Sequence, residues 1–120
     1  MSRKLRVVSI FGTRPEAVKM APVVQALANT PDIESRVIVT AQHRQMLDQV
    51  LELFDIQPDY DLNLMQPNQT LAQLTAAIFT HLDPVLRDLQ PDWMLVQGDT
   101  TTVMAAALLG YYQRIKVGHV

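Results

Sequence analysis

The stretch that decides the fold is LRVVSIFGTRPEAVKMAPVVQALA, which occupies residues 5–28. Its first part, Leu5 to Phe11, is β-branched and apolar on both faces, which is typical of a strand covered by helices on each side of a parallel sheet. From Ala17 onward, apolar residues recur three and four positions apart, which is the spacing of one helix face. Gly12 lies between the two patterns. The stretch therefore predicts a strand, a tight turn and a helix.

The same alternation continues along the rest of the chain. Further strands are predicted at residues 36–41, 93–97 and 116–120, a short edge strand or irregular segment at 60–64, and further helices at 46–54, 71–89 and 102–112. Because Pro84 falls inside the helix at 71–89, we expect a kink or a restart near Asp83. Strands that alternate with helices imply right-handed crossovers and an α/β fold with a doubly wound parallel sheet.

The length of the chain limits it to one domain. Its 120 residues can bury a single core but not two. The last predicted strand reaches the final residue, whereas a domain usually ends on a surface loop or a docked helix. We therefore expect residues 1–120 to be part of a longer domain.

Composition excludes several classes of function. Ten basic and twelve acidic residues give a net charge of -2, and no basic patch is present, so a nucleic-acid partner is not expected. The absence of cysteine excludes disulfides, zinc-thiolate and iron-sulfur sites and thiol nucleophiles, and the three scattered histidines suggest no metal motif. No apolar stretch approaches the roughly 20 residues of a membrane span, and residues 7–11 are too few for an export signal. We expect a cytoplasmic protein.

Two cations follow the first strand. The turn reads Gly12-Thr13-Arg14-Pro15-Glu16, and Lys19 comes shortly after it. Thr13 and Glu16 match a capping box, although Arg14 could itself be the cap with Pro15 at the first helical position. Arg14 and Lys19 could hold a diphosphate, or they could be two solvated cations at a helix start. Because cations oppose the dipole at a helix N-terminus, a bound anion would explain them better.

A carboxylate follows the strand predicted at residues 93–97. The segment reads Gln97-Gly98-Asp99-Thr100-Thr101-Thr102. Asp99 could be the N-cap of the next helix, or it could act on a substrate hydroxyl or as a general base. Amide donors stabilise an ionised carboxylate and make it a poor base. A catalytic Asp99 therefore requires Thr100 to take over the cap, or else it serves mainly to orient substrate and stabilise charge.

A third polar cluster lies at the end of the strand predicted at residues 36–41. It runs Thr40-Ala41-Gln42-His43-Arg44-Gln45. These side chains could contact a nucleotide or a sugar, or they could simply begin the second helix. The Gly-rich fingerprints of nicotinamide and P-loop nucleotide sites are missing from the chain.

At these strand ends the sequence resembles the non-hydrolysing UDP-N-acetylglucosamine 2-epimerases. The segments that carry the resemblance are FGTRPEAVKMAP at 11–22, TAQHRQMLDQVL at 40–51, PDYDLNLMQPNQTL at 58–71, QGDTTTV at 97–103 and YYQRIKVGHV at 111–120. The resemblance implies two Rossmann-like domains in the glycosyltransferase-B arrangement, with residues 1–120 as part of the N-terminal one and the C-terminal nucleotide-binding domain absent from this chain. It implies interconversion of UDP-N-acetylglucosamine and UDP-N-acetylmannosamine, by anti elimination of UDP across C1 and C2 and its re-addition. No cofactor and no metal are implied, and the full-length protein is expected to be a homodimer.

The resemblance also assigns roles to individual residues. Arg14 and Lys19 match cations near the UDP-sugar, and Asp99 matches a carboxylate implicated in catalysis. Gln42 and Gln45 match contacts to a second, activating UDP-N-acetylglucosamine. The family draws further catalytic groups from beyond this stretch, so the isolated chain is expected to be inactive. Two alternatives stay open: a hydrolysing 2-epimerase and a non-catalytic half-Rossmann module that binds nucleotide sugars.

Overall fold

The computed structural model describes residues 3–44 and 46–120. It contains five strands and four helices. The strands are β1 (Leu5–Phe11), β2 (Ile33–Val39), β3 (Tyr60–Asp61), β4 (Trp93–Val96) and β5 (Lys116–His119). The helices are α1 (Arg14–Ala28), α2 (Leu47–Leu53), α3 (Leu71–Leu89) and α4 (Thr101–Tyr112). All neighbouring strands are parallel, in the order β3-β2-β1-β4-β5, so the predicted α/β fold is confirmed.

The sheet is covered on both faces, as the sequence of β1 predicts. Val8 and Ile10 of β1 pack into one apolar cluster with α3 and α4, and Phe11 packs into a second cluster with α1 and α2. Because side chains alternate along a strand, one apolar strand supplies both clusters. This doubly wound arrangement leaves the loops at the two ends of the strands as the open edges of the fold.

The strand order contains a reversal beside β1. The chain moves from β1 outward to β2 and β3, and then returns through α3 to place β4 on the other side of β1. The register pairs β1 with β2 from Leu5↔Ile33 to Phe11↔Val39, and pairs β1 with β4 from Val7↔Trp93 to Ser9↔Leu95. The carboxyl ends of β1 and β4 therefore form the switch point, which is where open α/β sheets bind ligands.

One sequence expectation is wrong in part. The expected restart near Asp83 does not occur, since helix α3 runs from Leu71 to Leu89 through Pro84, whereas a kink there stays a prediction. Proline removes only its own N–H from the helix, while Leu82 and Leu86, on either side of it, are fully buried. The side chain of Gln113 also donates to the carbonyl oxygen and carboxylate of Asp83, at 3.2 and 2.8 Å, and fastens α3 to the end of α4. Tertiary packing therefore outweighs the local preference.

In the part of the chain that the structure describes, none of the helices combines the length and the apolar character needed to cross a bilayer.

Candidate functional site

The two turns that carry Arg14 and Asp99 lie side by side at the switch point. The first turn follows β1 and leads into α1, and the second follows β4 and leads into α4. Since β1 and β4 are hydrogen-bonded neighbours and run parallel, their carboxyl ends meet at one edge of the sheet. Both helices begin there, so both helix dipoles present their positive ends to the same region.

A buried carboxylate connects these two turns. Glu16, only 2% exposed, accepts hydrogen bonds at Oε1 from the backbone N–H groups of Gly12 at 2.8 Å and Thr13 at 3.2 Å. Its other oxygen, Oε2, accepts a hydrogen bond from the hydroxyl of Thr100. The sequence identified Glu16 only as part of a capping box. No local signal links it to Thr100, which lies 84 positions further along the chain.

The start of α1 settles the choice between two predicted caps. Thr13 is the N-cap, and its carbonyl oxygen accepts the first helical hydrogen bond, from Ala17 at 3.0 Å. The alternative with Arg14 as the cap is wrong, because Glu16 satisfies the amide of Thr13 and helical geometry already begins at Arg14.

The start of α4 leaves Asp99 free. Thr100, not Asp99, is the N-cap, and the backbone N–H of Met104 donates to its carbonyl oxygen at 3.2 Å. The prediction of Asp99 as a cap is therefore wrong. Asp99 is exposed, and its carboxylate has no hydrogen-bond partner among residues 3–44 and 46–120. A carboxylate in this state can accept a proton or a hydrogen bond from a ligand.

The turn before Asp99 is held by its neighbours. Gly98 has φ +91°, in the region that side chains rarely adopt, so glycine allows the sharp exit from β4. The Nε2 atom of His119, at the end of β5, lies 2.7 Å from the carbonyl oxygen of Gly98. The sequence treated His119 as one of three unrelated histidines, because strand order alone brings it beside Gly98.

The two predicted cations lie on the first turns of α1. Both Arg14 and Lys19 are exposed, and neither forms an ion pair within the described part of the chain. In contrast, carboxylates pair with Arg3, Arg6, Arg36, Arg44 and Arg87. The five-residue separation of Arg14 and Lys19 places them about 140° apart around the helix axis. They are therefore two separate positive groups and do not form one fork of donors.

The end of β2 connects to the same edge of the sheet through a series of hydrogen-bonded polar side chains. The hydroxyls of Thr40 and Thr102 lie 3.0 Å apart, and Thr102 donates to Oε1 of Gln42 at 2.8 Å. The network passes directly under Gly12, where an added Cβ would lie 2.0 Å from Oγ1 of Thr40. Glycine is therefore required at position 12, because the hydroxyl of Thr40 lies too close for any Cβ. The hydrogen bond from Thr102 orients the side chain of Gln42.

Gln42 opens onto a cavity of about 350 Å³. Its lining includes His43, Met65, Asn68, Gln69 and Leu71. Because Oε1 of Gln42 accepts from Thr102, its amide nitrogen is left to donate elsewhere. Gln45, which the sequence groups with Gln42, lies outside the described residues.

Arg44 fixes the loop beside this cavity. Its guanidinium donates to Asp48 at 2.6 Å and to Asp61 at 2.7 Å. These hydrogen bonds, Asp61 first, raise the pKa of Arg44, and the bond from Arg44 lowers the pKa of the Asp48 carboxyl. The sequence grouped Arg44 with the third polar cluster but did not predict its ion pairs, because the partners Asp48 and Asp61 lie on α2 and β3. Among the described residues, no three His, Asp or Glu side chains are grouped so as to hold a metal ion.

Comparison with known proteins identifies the family. A sequence family described as UDP-N-acetylglucosamine 2-epimerase matches residues 25–120, four-fifths of the chain. The chain belongs to the UDP-N-acetylglucosamine 2-epimerase family. The resemblance carried by the strand-end motifs is thereby confirmed, over a match that includes the Asp99 turn and the Gln42 loop.

Individual members of the epimerase family match nearly the whole chain. The UDP-N-acetylglucosamine 2-epimerase of Yersinia pestis is 60% identical over 116 residues, which are 97% of this chain and 31% of that relative. The crystal structure of the Neisseria meningitidis epimerase bound to UDP-GlcNAc is 56% identical, with a TM-score of 0.92, and the match covers 97% of this chain and 31% of that one. The Methanocaldococcus jannaschii epimerase, in complex with UDP-GlcNAc and UDP, is 34% identical with a TM-score of 0.90, over 97% of this chain and 32% of that one. The chain thus spans about a third of the length of these epimerases.

Proposed function

We propose that residues 1–120 are the N-terminal part of a two-domain enzyme that interconverts UDP-N-acetylglucosamine and UDP-N-acetylmannosamine. The observation that carries the proposal is the junction of the Arg14 and Asp99 turns at the switch point, joined through Glu16. The names of the relatives, and the UDP-GlcNAc held by two of the solved ones, support the choice of substrate. Such an enzyme acts in the cytoplasm and supplies N-acetylmannosamine for bacterial surface polysaccharides.

The proposed reaction is an elimination followed by an addition. A base removes the proton at C2 of the sugar, the C1–O bond breaks, and UDP leaves with the electron pair while a C1=C2 double bond forms. UDP then adds back to C1, and a proton returns to C2 on the opposite face. Asp99, exposed and unpaired in the described chain, is proposed to accept a proton or a hydroxyl hydrogen bond there.

Arg14 and Lys19 are proposed to bind the diphosphate. The amides of Gly12 and Thr13 already donate to Glu16, so they are not available to phosphate oxygens. Side-chain cations therefore have to supply the positive charge on this side of the ligand. Arginine suits the task, because its planar guanidinium donates two parallel hydrogen bonds to a phosphate.

We propose that the isolated chain does not turn over the substrate. The reaction needs groups on both faces of the sugar. Among the described residues of the Arg14 and Asp99 turns, Asp99 is the one exposed carboxylate, because Glu16 is buried and bonded to both turns. The missing groups belong to the remaining two-thirds of the enzyme. A coupled assay on the 120-residue chain should show no epimerisation. Appreciable turnover would refute the proposal that groups outside this chain are required for catalysis.

Gln42 and Gln45 are proposed to contact a second, activating UDP-N-acetylglucosamine. The cavity beside Gln42 and its free amide nitrogen support this role. In the full-length enzyme, Gln42→Ala should abolish activation by UDP-N-acetylglucosamine and leave the affinity of the active site for UDP unchanged. Activation that survives the substitution would argue against the assignment.

We propose a homodimer in which α4 packs against a second copy. Helix α4 is apolar on all sides, yet Met104, Tyr111 and Tyr112 are more than half exposed, which is typical of an uncovered interface. Light scattering on the full-length enzyme should report a dimer that Tyr111→Lys dissociates. The matched control is Val18→Lys on α1, which packs against the opposite face of the sheet.

Deuterium exchange tests the reaction. In deuterated water, the full-length enzyme should place deuterium at C2 while the nucleotide sugar stays intact by NMR. Release of free N-acetylmannosamine and UDP would instead indicate a hydrolysing epimerase. Asp99→Asn should lower turnover by about 100- to 10,000-fold, the usual contribution of an acid or base group. Near-normal turnover in that variant would refute the role of Asp99.

Calorimetric titration of the full-length protein with UDP-N-acetylglucosamine tests whether Arg14 binds the diphosphate. Arg14→Ala should weaken binding, whereas Arg114→Ala should not. Arg114 is also exposed, but it lies in the loop before β5, at the opposite end of the sheet. Equal affinities for wild type and Arg14→Ala would remove the diphosphate role. Tight binding by the full-length protein without any turnover would favour a non-catalytic binding module.

A further inference from the structure

Glu16 is a buried carboxylate that the proposed reaction does not use. It is only 2% exposed and has no cationic partner in the described chain. Burying an ionised group is costly unless hydrogen bonds satisfy it. Three donors from two separate turns do so here: the amides of Gly12 and Thr13, and the hydroxyl of Thr100. The carboxylate is therefore held firmly, and in return it holds both turns.

The hydroxyl of Thr100 donates to Glu16 and does not cap its own helix. A threonine at an N-cap usually accepts a hydrogen bond from an amide in the first turn of its helix. The Thr100 side chain makes no such capping bond to α4. It donates to Glu16 instead, across the junction between the two turns. The Thr100 hydroxyl therefore does not stabilise the start of α4 and instead forms a hydrogen bond with a residue 84 positions away in the chain.

Glu16 also lies near Gly98, the residue that precedes Asp99. A Cβ added at Gly98 would lie 3.8 Å from Oε2 of Glu16, which is ordinary van der Waals contact. Gly98 therefore lies near the same carboxylate oxygen that accepts the hydrogen bond from Thr100, and Asp99 lies between these two residues in the chain. On the other side, Glu16 contacts Gly12 and Thr13, which immediately precede Arg14.

We propose that Glu16 is a positioning residue that sets the separation of Arg14 and Asp99 through its hydrogen bond with Thr100. The inference rests on the proposed function of these two side chains. Glu16 itself touches no substrate in this role. It holds the turn of the diphosphate cation and the turn of the catalytic carboxylate in one rigid unit.

The test begins with Thr100→Val in the full-length enzyme, which removes the hydroxyl and keeps the shape of the side chain. A misplacement of about 1 Å can cost about 100-fold in rate, so we expect kcat to fall by roughly 10- to 100-fold with KM changed by less than about threefold. Thr101→Val is the matched control, because Thr101 is the next residue and its hydroxyl makes no hydrogen bond within the described chain. Thr100→Ser, which keeps the hydroxyl, should recover most of the lost turnover.

Variants of Glu16 separate positioning from proton transfer. In Glu16→Gln, the amide oxygen can accept from the two backbone amides and the amide nitrogen can donate to Thr100, so the connection persists. We expect the loss of kcat to be at least tenfold smaller in Glu16→Gln than in Glu16→Ala. Equal losses in the two variants would show that the negative charge itself is needed, and would overturn the positioning role.

A double-mutant cycle distinguishes positioning from general weakening of the fold. If Thr100 acts only by placing Asp99, then Thr100→Val should reduce kcat by less than about threefold in an Asp99→Asn background. If Thr100→Val instead reduces kcat by the same factor in the Asp99→Asn background as in the wild type, the inference is overturned. Failure of the wild-type enzyme to exchange deuterium at C2 would refute the proposed function and this inference with it. A severe Asp99→Asn phenotype, with Thr100→Val equal to Thr101→Val, would refute the inference alone.

Discussion

Replacing Gly12 by alanine should disrupt the polar network under the site. An added Cβ would lie 2.0 Å from Oγ1 of Thr40, 2.9 Å from Oγ1 of Thr102 and 3.2 Å from Cβ of Gln42. Thr40 and Thr102 are fully buried, so neither side chain can swing into solvent. Thr40 can relieve the contact only by rotating its hydroxyl away, which breaks its hydrogen bond with Thr102.

The expected loss of stability follows from these contacts. Overpacking a buried site costs about 1–3 kcal/mol. Leaving a buried hydroxyl without its partner costs about 1–3 kcal/mol more. The backbone itself accepts alanine, because Gly12 is not among the residues with positive φ, and the reduced entropy of the unfolded chain returns about 0.4–1 kcal/mol. Gly12→Ala should therefore lower the free energy of unfolding by about 1–5 kcal/mol.

A second substitution identifies Thr40 as the obstacle. Thr40→Ala removes the atom nearest to the added Cβ, while Thr102 keeps Gln42 as an acceptor. Thr40→Ala should destabilise the wild type, yet restore about 1–2 kcal/mol in the Gly12→Ala background, a coupling typical of residues in contact. Gly98→Ala is the control. Its cost comes from φ +91° rather than from a clash, so Thr40→Ala should not relieve it.

Urea unfolding followed by far-UV circular dichroism and by the fluorescence of Trp93, the single tryptophan, measures these differences. Equal slopes for the variants would show that the change lies in stability rather than in the unfolded state. A loss below about 0.5 kcal/mol for Gly12→Ala, within the range of an ordinary surface substitution, would refute the reasoning. Equal relief by Thr40→Ala in the Gly12 and Gly98 backgrounds would refute it as well.

Three further substitutions test other contacts in the structure. The buried hydroxyl of Ser9 has no hydrogen-bond partner among the described residues, so Ser9→Ala should leave the melting temperature unchanged or raise it; a loss above about 1 kcal/mol would show that the hydroxyl is bonded. Hydrogen bonds from Arg3 and from the backbone amide of Arg6 lower the pKa of Asp92 to about 2. A lowered pKa contributes stability at high pH, so the advantage of wild type over Asp92→Asn should be constant above about pH 5, shrink as the pH falls from about 4, and vanish only once the pH is below the folded pKa of about 2. An advantage that does not shrink between about pH 4 and about pH 2 would contradict this. Arg44→Ala should destabilise the chain by about 1 kcal/mol, and 1 M salt should shrink the difference, because Arg44 joins two partly exposed carboxylates.

The sequence alone predicted most strands and helices, although β2 runs over Ile33–Val39 rather than 36–41 and the nature of residues 60–64 stayed open. Apolar residues on both faces of residues 5–11 and a helical spacing from Ala17 onward depend on near neighbours, so the pattern predicted β1 and α1 closely. The same local reasoning placed Gly12 and Gly98 at strand ends. It left the N-caps of α1 and α4 undecided. Thr13 and Arg14 satisfy similar local rules for capping α1, and Asp99 and Thr100 do so for α4.

Tertiary structure alone decided which strand ends meet. The order β3-β2-β1-β4-β5 is fixed when whole helices pack on the two faces of the sheet, and no short stretch of sequence encodes it. That order brings Glu16 to Thr100 and His119 to Gly98, across 84 and 21 positions of the chain. Because hydrogen bonds of this kind depend on distance in space, the residues that join the turns became visible only when the fold placed those turns together.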